Sequence, residues 1–424
     1  MAATAETHNT IEAVWRIEAP KLIAALARVV GDVGVGEELA QDALVAALEQ
    51  WPEQGVPDRP GAWLMATAKH RAIDTLRRRQ RLQQKQEQLG WDLLIEPPQL
   101  GVPELEAVVD DEAAIGDDLL RLVFIACHPL LSMDARVALT LRLLGGLTTD
   151  EIAHAFLVPE PTIAQRIVRA KRTLSDAHVP FEVPPPGELA ERLAAVLEVT
   201  YLIFNEGYSA SAGDDWTRPA LCEDALRLGR VLAELMPSEP EVHGLVALME
   251  LQASRLRARV SPSGEPILLL DQNRMLWDQL LIRRGLAALR RGETLGSALG
   301  PYGLQAAIAA CHARARTAAD TDWPQIAALY EVLGQLTPSP VVELNRAMAV
   351  AMAHGPLAGL EIVDALAEEP SLRSYYVLPN VRGDLLVRLG RLGEARVEFE
   401  RAASLAHNAR QRQVLLDRAA ACAP

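Results

Sequence analysis

The chain has 424 residues, half of them hydrophobic and only 4% aromatic, with 42 Lys and Arg against 56 Asp and Glu for a formal charge of -14. That length predicts two to four domains of roughly 100–200 residues, and the abundance of Ala and Leu predicts packed helices rather than sheets. The acidic balance excludes nucleic-acid binding by the whole surface, though not by a local basic face. No apolar run reaches the roughly 18–20 residues of a membrane span. The N-terminus lacks the basic start and apolar core of a secretory signal, so a cytoplasmic location is expected.

Residues 8–86 read as a helical block. In "GEELAQDALVAALEQW", Glu38 and Asp42 stand four residues apart and share one exposed edge. On a DNA-binding block, such an acidic edge suits a basic protein partner. In "GAWLMATAKHRAIDTLRRRQR", helical spacing gathers Leu64, Met65, Ala68, Ala72 and Leu76 on one side. Trp63, Thr67, His70, Arg71, Asp74, Arg77, Arg78 and Arg81 fall on the other. A tryptophan among arginines suits stacking on unpaired bases while the arginines follow the phosphates. The competing reading folds Trp63 back into the core. Asp74 would repel phosphate, so its expected role is to orient a neighbouring arginine.

Residues 87–117 contain many carboxylates and no Lys or Arg, and "IEPPQLGVPELE" is poor helix material, so an acidic linker is expected. A second helical block follows over 118–180. Within it, "LTTDEIAHAFLVPEPTIAQRIVRAKRTL" reads as two helices with a tight break. Thr148 and Glu151 are spaced as a capping box for the first helix, whose apolar face carries Ile152, Ala153 and Phe156. Pro159 and Pro161 fall in the first turn of the second, where no N–H is needed. Ile163, Ile167, Ala170 and Leu174 form its apolar stripe, and Thr162, Gln165, Arg166, Arg169 and Arg172 form the opposite face. Those hydrogen-bonding and cationic side chains suit base edges and phosphates. Lys171 lies off that face and is expected to meet backbone or solvent. Together the cap, the break and the polar face predict a helix–turn–helix.

Residues 181–187, with prolines at 184–186, read as a stiff spacer, and residues 188–424 as a helical extension. In "VRGDLLVRLGRLGEARVEFERAASLA", Gly383, the turn at Gly390 and Gly393, and then Ala395, Phe399 and Ala402 partly match a tetratricopeptide repeat; a plain helical array is the alternative. The four cysteines, Cys127, Cys222, Cys311 and Cys422, form no CxxC pair. Cys127–His128 and Cys311–His312 are adjacent, and adjacent helical side chains point about 100° apart, which makes a poor metal clamp. Buried, reduced thiols are expected, with no metal and no cofactor.

Two nucleic-acid-facing blocks joined by an acidic linker resemble a minimal bacterial sigma factor. "GEELAQDALVAALEQW" resembles the region 2 segment that docks on core RNA polymerase, and "AWLMATAKHRAIDTLRRR" resembles the segment that melts and reads the -10 element. "ALTLRLLGGLTTDEIAHAFLVPEPTIAQRIVRAKRTL" resembles region 4, which reads the -35 element. "YLIFNEGYSAS", "LDQNRMLWD", "GPYGLQAAIAACHA", "TDWPQIAALY" and "PSPVVELNRAMAVA" resemble the extracytoplasmic-function (ECF) subfamily with a long tetratricopeptide-like C-terminal extension.

The resemblance covers nearly the whole chain and implies an all-α, non-enzymatic protein. Its partners would be core RNA polymerase, through Glu38 and Asp42, and promoter DNA. Trp63, Thr67, His70, Arg71, Arg77 and Arg78 would serve the -10 element, and Thr162, Gln165, Arg166, Arg169 and Arg172 the -35 element. The long ending implies control in cis, with a small partner protein acting on the extension rather than a membrane anti-sigma factor. Three other readings stand beside it: a stand-alone helix–turn–helix regulator, a pure adaptor, and an enzyme using Glu206, Asp214 and Asp215. The last three carboxylates adjoin Gly and Ser in a loop, where capping or inter-helix hydrogen bonding accounts for them.

Overall fold

The computed structural model describes residues 2–88, 112–209, 217–261, 265–296, 298–406 and 408–422; side chains at 2–6, 75–88, 112–115 and 409 fall outside that description. The fold is all-α: among the described residues the only pairing of extended backbone is an isolated bridge between Val260 and Pro266. The chain divides into two compact units, residues 1–200 and 201–424.

The first unit opens with α1 (Ala2–Val30), α2 (Val33–Gln54) and α3 (Pro60–Gln88). Asp32 caps α2 by accepting the Val35 N–H at 2.9 Å. Gly36 then lets α2 close on α1, because a Cβ there would sit 2.8 Å from the Ala27 nitrogen. On α3 the anticipated stripe is buried at Leu64, Ala68 and Ala72. The second block comprises α4 (Glu112–Ala126), α5 (Met133–Leu143), α6 (Thr149–Phe156) and α7 (Glu160–Asp176). Helix α1 packs against α2, α3 and α4, so both blocks share its surface. Leu22, Ile23, Leu122, Phe124 and Ile125 are among the fully buried side chains of this shared core.

Two expected boundaries differ from the structure. Helix α4 starts at Glu112, inside the expected 87–117 linker, and α3 runs on to Gln88; the rest of that linker lies outside the described residues. The prolines at 184–186 end not in a separate spacer but in a helix start, since α8 (Pro186–Tyr208) begins at the last of them. Proline is well suited to the first helical position, where its fixed φ fits and its missing N–H costs nothing. Leu193, Val196, Leu197 and Val199 are buried along α8, and Arg192 donates to the Phe124 carbonyl at 3.1 Å. The division between the two compact units falls within α8, after Thr200.

The second unit continues with α9 (Pro219–Leu235), α10 (Pro240–Ala253), α11 (Gln279–Leu295) and α12 (Pro301–Arg314). It ends with α13 (Trp323–Leu336), α14 (Pro340–His354), α15 (Pro356–Ala365), α16 (Val377–Arg388), α17 (Leu392–Leu405) and α18 (Ala409–Ala421). From α12 to α18 each helix packs on its successor, which gives a helical array with a continuous run of apolar contacts at its end. Gly383 of α16 faces the Phe399 ring of α17, where a Cβ would lie 2.6 Å from the ring edge. The small residue is thus required by the close approach, and Gly390 takes the left-handed turn at φ 73° between the two helices.

Candidate nucleic-acid interface

Helices α6 and α7 form the anticipated pair. Thr148 Oγ1 accepts the Glu151 N–H at 3.1 Å, and Glu151 Oε2 accepts the Thr148 N–H at 2.7 Å, which completes the capping box. The chain reverses at Leu157, held in the left-handed region at φ 52°, where a β-carbon is disfavoured. The Val158 N–H closes the turn onto the Ala153 carbonyl at 3.1 Å. Ile163, Ile167, Ala170 and Leu174 are buried and hold α7 down. Thr162, Gln165, Arg169 and Arg172 are exposed on the opposite face. Arg166 is half-buried and pairs with Asp134 of α5 at 3.0 Å, and Arg172 pairs with Asp176 at 3.3 Å. Pairs this exposed are worth little and exchange readily for phosphate.

Lys171 departs from expectation: it turns to Glu37 of α2 rather than to solvent or backbone. Glu37 is buried and also accepts from Arg142 Nε at 2.7 Å, so one carboxylate takes two cations from the second block. Around it, Arg28 pairs with Asp118 at 2.8 Å, Arg16 with Glu151 at 2.5 Å, and Ser175 Oγ donates to Asp32 at 2.9 Å. Burial raises the Asp118 carboxyl above its usual range, against the pull of Arg28 and Arg121. None of these ties was anticipated individually. The available signal was Glu37 itself, a carboxylate beside Gly36 and Ala40 on the face of α2 that packs inward.

On α3, Trp63 is half-buried with its ring edge-on to buried Trp51, 5.4 Å between centroids. It therefore serves the packing while keeping part of its surface open. The Thr67 hydroxyl donates to the Trp63 carbonyl at 2.9 Å. His70 and Asp74 are exposed. Arg71 pairs with Asp42 of α2 at 3.2 Å, which joins the acidic edge to the basic face; Glu38, one turn before Asp42, is exposed. The side chains of Arg77, Arg78 and Arg81 lie outside the described residues. So do Asp214 and Asp215, while Glu206 pairs with Arg218.

Among the described residues no three His, Cys, Asp or Glu side chains gather as a metal site, and all four cysteines are free and buried. Burial pushes the Cys127 thiol up to about 11 and the Cys222 thiol up to about 12, away from the reactive thiolate. No helix among the described residues is long and apolar enough to cross a membrane.

A capped helix–turn–helix beside a helical block with a basic, tryptophan-bearing face defines a helical DNA-binding protein. Comparison with known proteins makes this specific. Residues 15–82 match sigma-70 region 2, residues 121–174 match sigma-70 region 4, and residues 192–293 match a family of unknown function, DUF6596. An uncharacterized protein of Rhizobium meliloti (strain 1021) is 44% identical over 92% of this chain and 90% of its own. The ECF RNA polymerase sigma factor SigK of Mycobacterium ulcerans is 31% identical over 35% of this chain and 75% of its own. A probable ECF RNA polymerase sigma factor, SigI of Mycobacterium tuberculosis, is 25% identical over 42% of this chain and 59% of its own. The chain belongs to the ECF family of RNA polymerase sigma factors and carries a C-terminal helical extension. Members of this family are non-enzymatic initiation factors, and their domains imply binding to core polymerase and promoter DNA.

Proposed function

We propose that this sigma factor directs initiation by reading the -10 element with α3 and the -35 element with α7, while docking on core polymerase through the edge bearing Glu38 and Asp42. The observation that carries this reading is the exposed face of Thr162, Gln165, Arg169 and Arg172 on a helix whose other side is fully buried. Inserted in the major groove, those side chains reach base edges and phosphates. Trp63 keeps an open face for an unpaired base at the -10 element, and Thr67, His70, Arg71, Arg77 and Arg78 accompany it. The loop "WPEQGVPDRPG" holds the flipped base, and the acidic stretch from 87 imitates nucleic acid inside the polymerase channel. The extension supports and regulates this machinery, with a small protein partner acting on it.

The contacts around Glu37 add a constraint. Elements centred at -10 and -35 lie about 25 base pairs apart, on the order of 85 Å of B-form DNA. Two blocks joined by direct ion pairs cannot span that distance, so α7 must leave α2 before both elements are read. Run-off transcription with core polymerase on a cognate promoter tests the reading. Promoter-specific transcripts dependent on this chain are expected. Binding to promoter DNA without any association with core polymerase would instead identify a stand-alone helix–turn–helix regulator.

A further inference from the structure

In the second unit most buried or half-buried arginines meet carboxylates. Arg218 pairs with Glu206, Arg230 with Glu250, Arg382 with Asp364 and Glu398, and Arg418 with Asp384. Arg255 and Arg274 instead meet neutral groups. Arg255, 9% exposed, donates to the Tyr208 hydroxyl at 2.7 Å and to the Gln252 side-chain oxygen. Arg274 donates to the carbonyls of His312 and Ala315 at 2.6 and 2.8 Å and to Thr321 Oγ1 at 3.1 Å. All five acceptors are neutral.

The two guanidiniums belong to one cluster. Both lie over the Trp277 ring, Arg255 at 5.7 Å and Arg274 at 4.9 Å from its centroid. Arg259 sits 3.5 Å over the Tyr208 ring beside Arg255. His312, whose carbonyl Arg274 grips, stands edge-on to Trp323. Four donor-capable nitrogens here find no hydrogen-bond partner among the described residues: Arg255 Nε, Arg274 Nε, Trp277 Nε1 and His312 Nδ1. Arg274 feels the negative charge of Asp320, but that carboxylate is already tied to the Thr317 N–H and hydroxyl. Burial and the two arginines push the imidazole of His312 down to about 4, so it adds no further positive charge at neutral pH.

Cations out of water are costly when no counter-charge meets them, and so are buried N–H groups that donate to nothing. A cluster that gathers both, on aromatic faces that hold the guanidiniums flat, is arranged for an acceptor of opposite charge. We propose that the cluster of Arg255, Arg274, Trp277 and His312 is a binding site for a small anion bearing a carboxylate or phosphate group, and so makes the C-terminal extension a metabolite sensor. An open cavity of about 370 Å³, lined by Arg314 and Arg316 but also by Asp320 and Asp322, meets the cluster only at Ala315, whose carbonyl Arg274 holds. The inference stands on the second unit alone and does not depend on how the first unit reads promoters.

Thermal melting of the full-length chain at fixed ionic strength tests it, with inorganic phosphate, citrate and chloride titrated separately. Phosphate or citrate should raise the melting temperature saturably, chloride should not, and the more effective anion identifies the group bound. Arg255→Lys and Arg274→Lys keep the charge but lose the planar fork, and each should weaken that response at least tenfold. His312→Asn leaves both guanidiniums in place and carries the same expectation if either arginine variant fails to fold. Absence of a saturable response to both anions overturns the site. A response shared with chloride, or unchanged in the variants that fold, overturns it equally.

Discussion

Arg169 and Arg166 differ in a way that the helical wheel could not show. Both fall on the polar face of α7, yet Arg169 is exposed while Arg166 is half-buried against Asp134. Replacing a base-reading arginine by Ala should cost roughly 1–3 kcal/mol and relax preference at one position of the -35 element. Arg172→Ala, at a phosphate-contacting position, should weaken binding evenly across sequences and flatten its salt dependence. Fluorescence anisotropy on a set of single-base -35 variants separates the two patterns; wild-type binding by both Arg166→Ala and Arg169→Ala would remove these residues from the interface. Which side of α7 faces outward was legible here, because a capping box and a stripe of four apolar residues fix it. Lys171 was misread because its partner, Glu37, is far away in sequence. Periodicity assigns a face, and only the tertiary arrangement supplies what that face meets. The same limit applies to Trp63, which the wheel places among arginines and the fold sets partly against Trp51.

At the scale of elements, two contacts decide stability. Gly383→Ala would push a Cβ into the Phe399 ring, and overpacking of this kind costs about 1–3 kcal/mol; the urea midpoint of the variant should fall accordingly, and an unchanged midpoint would mean that α16 and α17 separate freely. Here the sequence was a good guide, since small residues and a glycine turn mark a tight helical pair. His312 on α12 gives the second contact and a pH dependence. Its imidazole protonates near 6.5 when unfolded and at about 4 when folded, because burial and the neighbouring Arg255 and Arg274 oppose the charge. The unfolded chain therefore binds more protons between those values. Stability contributed by the neutral ring is present above about pH 6.5 and lost as pH falls toward 4, by at most about 3 kcal/mol. Comparing urea midpoints at pH 7 and pH 5 should show a drop that His312→Asn reduces; an equal drop in both proteins would assign the effect to other groups, His128 first, which is also lowered to about 4. Nothing in the motif "ACHARA" announces this behaviour, because the arginines responsible come from distant segments.

At the scale of the molecule, the question is what separates the DNA-reading blocks and what the extension does for them. Glu37 accepts Arg142 and Lys171 in a buried setting, and removing one partner of a buried pair leaves the others uncompensated, at about 3–5 kcal/mol. Glu37→Gln should therefore loosen α7 from α2, lengthen the distance between fluorophores placed on the two blocks, and raise affinity for -35 duplex in the absence of polymerase; an unchanged distance would sink the closed arrangement as a control. The extension bears on the same unit through α8. Its first turns grip the Phe124 carbonyl with Arg192 and bury Leu193, Val196 and Leu197. The triple proline read as a stiff spacer, but it runs directly into this helix, so a chain ending at Pro186 would lose the tie from Arg192 to the Phe124 carbonyl. Burial of Leu193, Val196 and Leu197 on this helix is worth about 1.5–3 kcal/mol each to the unit that contains them. Truncation after Pro186 should lower promoter-specific run-off transcription and the melting temperature together, because the helix–turn–helix loses support rather than an inhibitor. Stronger transcription from the truncated chain than from the full-length one would reverse the sign and make the extension an autoinhibitor. Equal transcription with an equal melting temperature would show that α8 supports neither the fold nor the function of the block it follows.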